Sequence, residues 1–208
     1  MSQPAPATLY RIAAFAGVGS ATVLLINAAK RAEVIPTSAF TQLAAPFAQI
    51  LALALVTGLY FAFGRRGGTF GLVAYLTNAF ALAALVGVEF VINLVFAELP
   101  DATRDELLAG PLGAALIVVS VLFLLGTLAF VATIYRTGEV PRVPLALYAL
   151  GAVPVSLRAF VPEAALDLGL ATMAVGIGWI SIWLVGRAAH ITPWPADDAP
   201  ERRSHVSV

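Results

Sequence analysis

The chain has 208 residues, of which 60% are hydrophobic and 12% charged, and its 12 basic residues balance its 12 acidic ones. A soluble domain carries about 25% charged residues, so this composition excludes an ordinary soluble domain, and it also excludes a disordered or nucleic-acid-binding chain. The chain has no cysteine, which excludes disulfide bonds and thiolate metal sites. Its mean hydropathy of +0.91 indicates a protein that lies in lipid.

The first half of the chain contains three apolar runs, and each is long enough for a helix of about 20 residues that crosses a bilayer. Residues 9–29 end at Lys30 and Arg31, residues 40–63 end at a glycine- and arginine-rich turn (64–68), and residues 70–97 form the longest run. No small-residue cleavage site precedes Lys30, so we expect the first run to be retained rather than removed as a signal peptide.

The second half adds three more runs, at residues 112–135, 143–161 and 165–187. The segment before them, 100–108, has an acidic start that favours a short surface helix. Pro154 lies in the middle of the fifth run, where we expect a kink. None of the runs alternates every second residue, as barrel strands do. The sequence therefore predicts an all-α, polytopic bundle of six transmembrane helices over residues 1–190, followed by a disordered cytoplasmic tail, 191–208.

The distribution of lysine and arginine predicts the orientation in the membrane. With six spans, eight basic residues share the face of the two termini (Arg11, Arg65, Arg66, Arg136, Arg142, Arg187, Arg202 and Arg203), and four lie on the other face (Lys30, Arg31, Arg104 and Arg158). Basic residues concentrate on the cytoplasmic side of membrane proteins. We therefore expect a multi-pass protein of the cell membrane with both termini in the cytoplasm.

The end of the fourth run carries a recognisable pattern, Ile134-Tyr135-Arg136-Thr137-Gly138-Glu139-Val140-Pro141-Arg142, followed by a helix that contains Gly151-Ala152. This pattern resembles an uncharacterised bacterial family of six-helix integral membrane proteins, in which a Tyr-Arg-Ser-Gly-x-x-Pro-Arg-like turn joins two helices. The resemblance covers mainly residues 126–186, and Thr137 stands where serine is usual. It implies a bacterial protein, the fold and a membrane location, and it supplies no activity or functional residues.

The sequence lacks the residues that several common membrane and enzyme chemistries require. His190 lies beyond the last span and His205 in the tail, so no pair of intramembrane histidines is present to ligate a haem. No hydrolase, zinc-protease or phosphate-loop signature occurs either. We therefore expect no catalytic residue, no metal site and no bound cofactor, and an enzyme is the least favoured class.

One acidic residue at membrane depth is the strongest candidate for function. Glu89 lies about eight residues before the end of the third run, or about 12 Å below the interface. A charge near the bilayer centre costs roughly 2.5–3.5 kcal/mol, so the carboxylate is expected to be paired, protonated or open to a hydrated cavity. Polar residues at similar depth complete a candidate ligand or ion pocket: Asn93, Gln49, Arg158 and Asn27.

The alternative for these residues is purely structural, because asparagine and glutamine often join helices by hydrogen bonds and arginine often anchors an interface. Two functions consequently stay open. One is a transporter or ligand-binding protein with an outward-facing polar pocket around Glu89, which takes a small molecule or a proton. The other is a non-catalytic structural or regulatory subunit that packs against a second membrane protein. In either case we expect the protein to lie in the lipid bilayer, and we expect no nucleic-acid partner.

Overall fold

The structure, a computed structural model, describes residues 6–191, and these residues form an all-α protein. Six helices run through the bundle or most of it, and two short ones lie beside them. In chain order the helices are α1 (Pro6–Arg31), α2 (Ala39–Ala44), α3 (Phe47–Ala62), α4 (Gly68–Phe90), α5 (Asp101–Ala109), α6 (Pro111–Thr137), α7 (Arg142–Ser156) and α8 (Glu163–Arg187). The predicted tail lies outside the described residues, apart from Ile191.

Successive long helices run in opposite directions, so the bundle has two ends. The distal end holds the end of α1, helix α5 and the turn between α7 and α8, and there Arg31 lies 3.2 Å from Asp167. The proximal end holds the start of α1, the 3₁₀ turn Gly64–Gly67 and the turn between α6 and α7, where Arg66 pairs with Glu139. Helix α1 packs on α3 and α8, α4 packs on α6, and α7 packs on α8.

Five helical segments of the described residues are long and apolar enough to cross a membrane: Ala7–Arg31, Ala39–Ala62, Gly64–Phe96, Pro111–Thr137 and Glu163–Arg187. Large apolar side chains also point away from the bundle, including Phe40, Phe80 and Ile182, each more than two-thirds exposed. Exposed apolar surface on this scale is typical of a protein in contact with lipid. The chain is therefore a helical, multi-pass membrane protein.

The predicted count of six spans is not exact, because the fifth span is shorter than the apolar run suggests. Helix α7 has 15 residues and ends at Ser156, not at residue 161. Its length of about 22 Å falls short of the about 30 Å hydrocarbon core. Pro154 lies in its last turn rather than at the middle of a span, and since proline cannot donate to the carbonyl of Leu150, the helix stops two residues later.

Two other predicted spans are interrupted. The second predicted span divides into α2 and α3, because Pro46 separates them. The third, predicted over 70–97, continues beyond α4 as a π-helical segment, Val91–Phe96. Such segments widen the helix and often occur at functional sites. At the proximal end α6 stops at Gly138, whose φ of 70° is the left-handed conformation that glycine adopts easily.

Small residues let the helices approach closely at the centre of the bundle. Ala13, Gly17 and Ala21 of α1 lie one turn apart inside the bundle, where a side-chain carbon added at Gly58 of α3 would collide with Ala13. Between α7 and α8, a carbon added at Gly151 would lie 2.5 Å from the backbone nitrogen of Met173. Close backbone contact of this kind is how helices associate in membranes.

A buried acidic cluster as candidate functional site

Glu89 lies in the last turn of α4 and points into the bundle, where its side chain is 14% exposed. The π-helical segment begins two residues later and contains Asn93. The Asn93 amide nitrogen donates to the Glu89 carboxylate and to the Glu89 backbone carbonyl, both at 2.9 Å. One asparagine therefore holds the carboxylate in position and also satisfies a carbonyl at the point where the helix widens.

Two cations complete this arrangement, and we call Glu89, Asn93, Lys30 and Arg158 the Glu89 cluster. The Lys30 ammonium, at the end of α1, donates to the Asn93 side-chain oxygen at 2.7 Å. The Arg158 guanidinium, two residues beyond α7, lies 3.8 Å from the Glu89 carboxylate. Charged side chains from α1, α4 and the turn after α7 thus meet here, and the shielded acid is paired.

A second set of ion pairs lies beside the cluster at the distal end. Arg31 pairs with Asp167 at 3.2 Å and with Glu163 at 3.6 Å, and the Glu163 side chain is 89% exposed. Arg31 therefore has acids of its own, whereas the Glu89 cluster holds two cations, Lys30 and Arg158, and one acid, Glu89. This excess of positive charge disfavours a metal cation. Among residues 6–191, no three metal-ligating side chains lie together either.

Two small cavities border Glu89, and both are also lined by Asn27 and Arg158. The inner pocket, about 50 Å³, is lined as well by Gln49, Ser20 and Tyr148. The distal pocket, about 70 Å³, is lined as well by Lys30, Arg31 and Asn93, so it reaches the charged distal end. A cavity of about 10–15 Å³ holds one water molecule when polar partners surround it. Both pockets therefore have room for several water molecules beside the carboxylate.

A third and larger cavity begins on the other side of Arg158. This lateral cavity, about 560 Å³, lies among the π-helical segment, α5, α6 and the turn after α7. It shares Ser120, Ser156 and Arg158 with the inner pocket. The hydroxyl of Ser156 is buried and has no hydrogen-bond partner within the described part of the chain. A buried polar group without a partner is uncommon, and it marks this boundary as a place for a ligand or water.

The structure brings the five predicted pocket residues together in two different ways. Asn93 and Arg158 contact Glu89 directly. Asn27, which is 8% exposed, lines both small pockets, and Gln49 lines the inner pocket. Neither of these two side chains forms a hydrogen bond with the Glu89 carboxylate. The two contacting residues therefore hold Glu89, while Asn27 and Gln49 supply polar walls.

Sequence reasoning missed Lys30, Ser120 and Ser156. Lys30 looks like an ordinary interfacial lysine at a helix end, and only the rotation of α1 in the bundle turns its ammonium towards Asn93. The two serines give a weaker signal, because a single serine in an apolar helix usually bonds to its own backbone. The proximity of Ser156 to Arg158 in the sequence is the one hint available.

Comparison of the chain with models of known protein families, with curated proteins and with solved structures finds no match. The resemblance to a six-helix bacterial family accordingly stays a prediction, and the function has to be argued from the geometry of this chain.

Proposed function

We propose that this protein binds or carries a small ligand in the polar pocket around Glu89, and that Glu89 takes up and releases a proton as part of that function. The observation that carries the proposal is a shielded carboxylate that borders two cavities with room for water. An intramembrane acid is costly to keep and is therefore a functional candidate by default. Water beside it gives the proton a path that a packed apolar core would not.

The limited space around Glu89 favours a proton over other small cations. Arg158 and Lys30 already neutralise the carboxylate, so a metal ion would have to displace them against a local excess of positive charge. A proton needs no such space, because it binds one oxygen and releases Arg158. Asn93 stays able to hydrogen-bond the carboxyl group in both states, since its amide carries both donor and acceptor atoms.

A second candidate function is a structural or regulatory subunit that packs against another membrane protein. The observation in its favour is that the cluster and its neighbouring ion pairs tie α1, α4 and α8 to the turn after α7. Such cross-links fix the distal end of a bundle without any ligand. In that case the carboxylate is needed for its hydrogen bonds and its charge, and its protonation has no role.

We also propose a bacterial cell-membrane location with the proximal end in the cytoplasm, and membership of the six-helix family described above. The proximal end supports this orientation, because four arginines lie there over aromatic rings: Arg65 over Phe61, Arg136 over Phe70, Arg142 over Tyr135 and Arg187 over Trp183. Basic and aromatic residues together are typical of a membrane interface, and basic ones of its cytoplasmic side.

Infrared difference spectroscopy of the protein in phosphatidylcholine vesicles tests the proton proposal with the proton itself as the probe. Between about pH 8 and about pH 5, ordinary carboxyl groups stay largely ionised. We expect a carboxyl carbonyl band that depends on pH over this range in the native protein and is lost in Glu89→Gln. Glu106→Gln, on the exposed face of α5, is the matched control and should keep the band.

The opposite result would support the structural function. If the native protein and Glu89→Gln give the same spectra across this pH range, Glu89 takes up no proton there and the proposal fails. The variant must also remain folded, which its circular dichroism reports. Glutamine is close in shape to glutamate and can accept the Asn93 hydrogen bond, so we expect the fold to persist.

A further inference from the structure

We propose that the lateral cavity binds one anionic phospholipid of the surrounding bilayer, with its phosphate at Arg158 and one acyl chain inside the cavity. This inference goes beyond the Glu89 proposal and does not depend on it. It concerns a different cavity, which has about ten times the volume of the inner pocket.

The size of the cavity suits a single acyl chain. Its volume of about 560 Å³ lies within the about 300–1,000 Å³ of sites for drug-sized ligands. Along α6 its lining runs from Gly113 to Val121, which is about 12 Å of helix. One leaflet of the hydrocarbon core is about 15 Å thick. The cavity therefore extends through most of one leaflet, from the distal end to near the bilayer centre.

The cavity opens sideways towards lipid. Apolar side chains at its edge are about half exposed or more, namely Ile117 at 51%, Val121 at 48% and Phe160 at 77%. In a bilayer these side chains face acyl chains, so a lipid enters from the leaflet without crossing water. The amphipathic helix α5 covers the distal part of the cavity with Arg104 and Leu108.

The charge at the inner edge of the cavity selects an anionic head group. Arg158 lies near the distal end, where the phosphate of a lipid in this leaflet would lie, and among residues 6–191 its only carboxylate partner is Glu89 at 3.8 Å. The Glu89 cluster, with two cations and one acid, carries an excess of one positive charge. Arginine pairs well with phosphate oxygens, and the Ser156 hydroxyl, which has no hydrogen-bond partner in the described part of the chain, supplies a further donor.

Arg104 is the less suitable cation, although it also lines the cavity. Its guanidinium already lies 2.9 Å from the Asp101 carboxylate, and Asp105 and Glu106 follow on the same short helix. A phosphate at Arg104 would meet these acids. Arg158 and Arg104 thus form a matched pair of arginines in one cavity, and only the first is expected to bind the head group.

Native mass spectrometry of the full chain tests this proposal. The protein is released from detergent micelles doped with palmitoyl-oleoyl phosphatidylglycerol, or with phosphatidylcholine that carries the same acyl chains. We expect one phosphatidylglycerol to be retained per chain, with at least about tenfold preference over phosphatidylcholine, because both lipids carry the phosphate but the choline ammonium would lie beside the cations of the site. Equal retention of the two lipids would overturn the proposal.

The choice of variants separates the head group from the acyl chain. Glu89→Gln/Arg158→Gln removes both charges of the ion pair, so the carboxylate is not left without its arginine, and this variant should lose the preference. Arg104→Gln should keep it. Ile117→Trp fills the cavity and should weaken retention of phosphatidylglycerol about tenfold or more, whereas Val118→Trp, exposed on α6 outside the cavity, should not.

Three outcomes would contradict the assignment. The first is a preference for phosphatidylglycerol that survives in the double variant, and the second is an equal loss of retention in Ile117→Trp and Val118→Trp. The third is stronger retention of free oleate than of phosphatidylglycerol, which would identify the ligand as a fatty acid instead of a phospholipid. Glu89→Gln alone separates this proposal from the proton proposal. It should retain phosphatidylglycerol at least as well as the native protein, since Arg158 loses its competing carboxylate.

Discussion

Glu89 illustrates how much of a membrane site a single residue can reveal. The cost of an acid at membrane depth singles out Glu89 from the sequence, and the i+4 spacing places Asn93 on the same side of the helix. Lys30 and the unpartnered Ser156 were not predictable in this way. Their roles depend on how α1 and α7 are rotated and where α7 ends, and an apolar run does not determine either.

The pairing of Glu89 and Arg158 predicts that losing the arginine alone destabilises the protein more than losing both charges. Arg158→Gln leaves the shielded carboxylate without its ion-pair partner, and we expect it to lower the free energy of unfolding by about 2–3 kcal/mol. This is below the loss of about 3–5 kcal/mol for a fully buried pair, because the Arg158 side chain is 30% exposed. Adding Glu89→Gln to Arg158→Gln should recover most of the loss.

Reversible unfolding in mixed detergent micelles measures these differences. Arg66→Gln is the control, since it breaks the Arg66 and Glu139 pair, in which both side chains are more than 40% exposed. That loss should stay below about 1 kcal/mol. Equal losses for the two arginines would show that Glu89 is not held in a low-dielectric site.

The helix positions agree with the sequence prediction where hydropathy determines them. They differ from it where proline or the backbone geometry determines where a helix ends. Apolar length placed all six predicted runs on helices of the structure. Pro46 and Pro154 changed the result, the first by dividing a span and the second by shortening one. The π-helical segment at Val91–Phe96 has no sequence signal, since its residues are as apolar as those before them.

Close contact between α7 and α8 predicts that glycine is required on α7. Gly151→Ala would place a carbon 2.5 Å from the Met173 backbone nitrogen and 2.6 Å from the Gly169 carbonyl, so the helices must move apart. We expect a loss of about 1–3 kcal/mol, which is typical of overpacking. Unfolding measurements of the purified variant give this value.

Gly87→Ala on α4 is the matched control for Gly151→Ala, because a carbon added at Gly87 meets nothing within 4 Å. Alanine has the higher helix propensity, so this variant should be neutral or more stable by up to about 1 kcal/mol. A Gly151→Ala variant that is as stable as Gly87→Ala would contradict the close packing of α7 on α8.

At the scale of the whole molecule, the distribution of basic residues predicts that the proximal end is cytoplasmic. Enzyme reporters fused after Arg66, Arg142 and Val208 should be active on the cytoplasmic side, and those fused after Glu33 and Asp105 on the external side. The fusion after Asp105 is the most informative, since it follows the third predicted span. External activity of the Val208 fusion would contradict the orientation.

The lateral cavity is a property of the whole molecule that the sequence did not reveal. A cavity is a volume that side chains leave empty, and it depends on the packing of at least three helices at once. Polar residues at one depth indicated that a pocket exists around Glu89. They gave no information about the larger space between α6 and the turn after α7.

The accessibility of a single cysteine tests most directly whether water reaches the Glu89 pocket from the distal end. The chain has no cysteine of its own, so a variant has no background reaction. Asn27→Cys lines both small pockets, and Phe80→Cys, at a side chain that is 71% exposed towards lipid, is the control. We predict that a small, charged thiol reagent added outside intact cells modifies Asn27→Cys and leaves Phe80→Cys unmodified. An Asn27→Cys variant as unreactive as Phe80→Cys would contradict a hydrated pocket at Glu89.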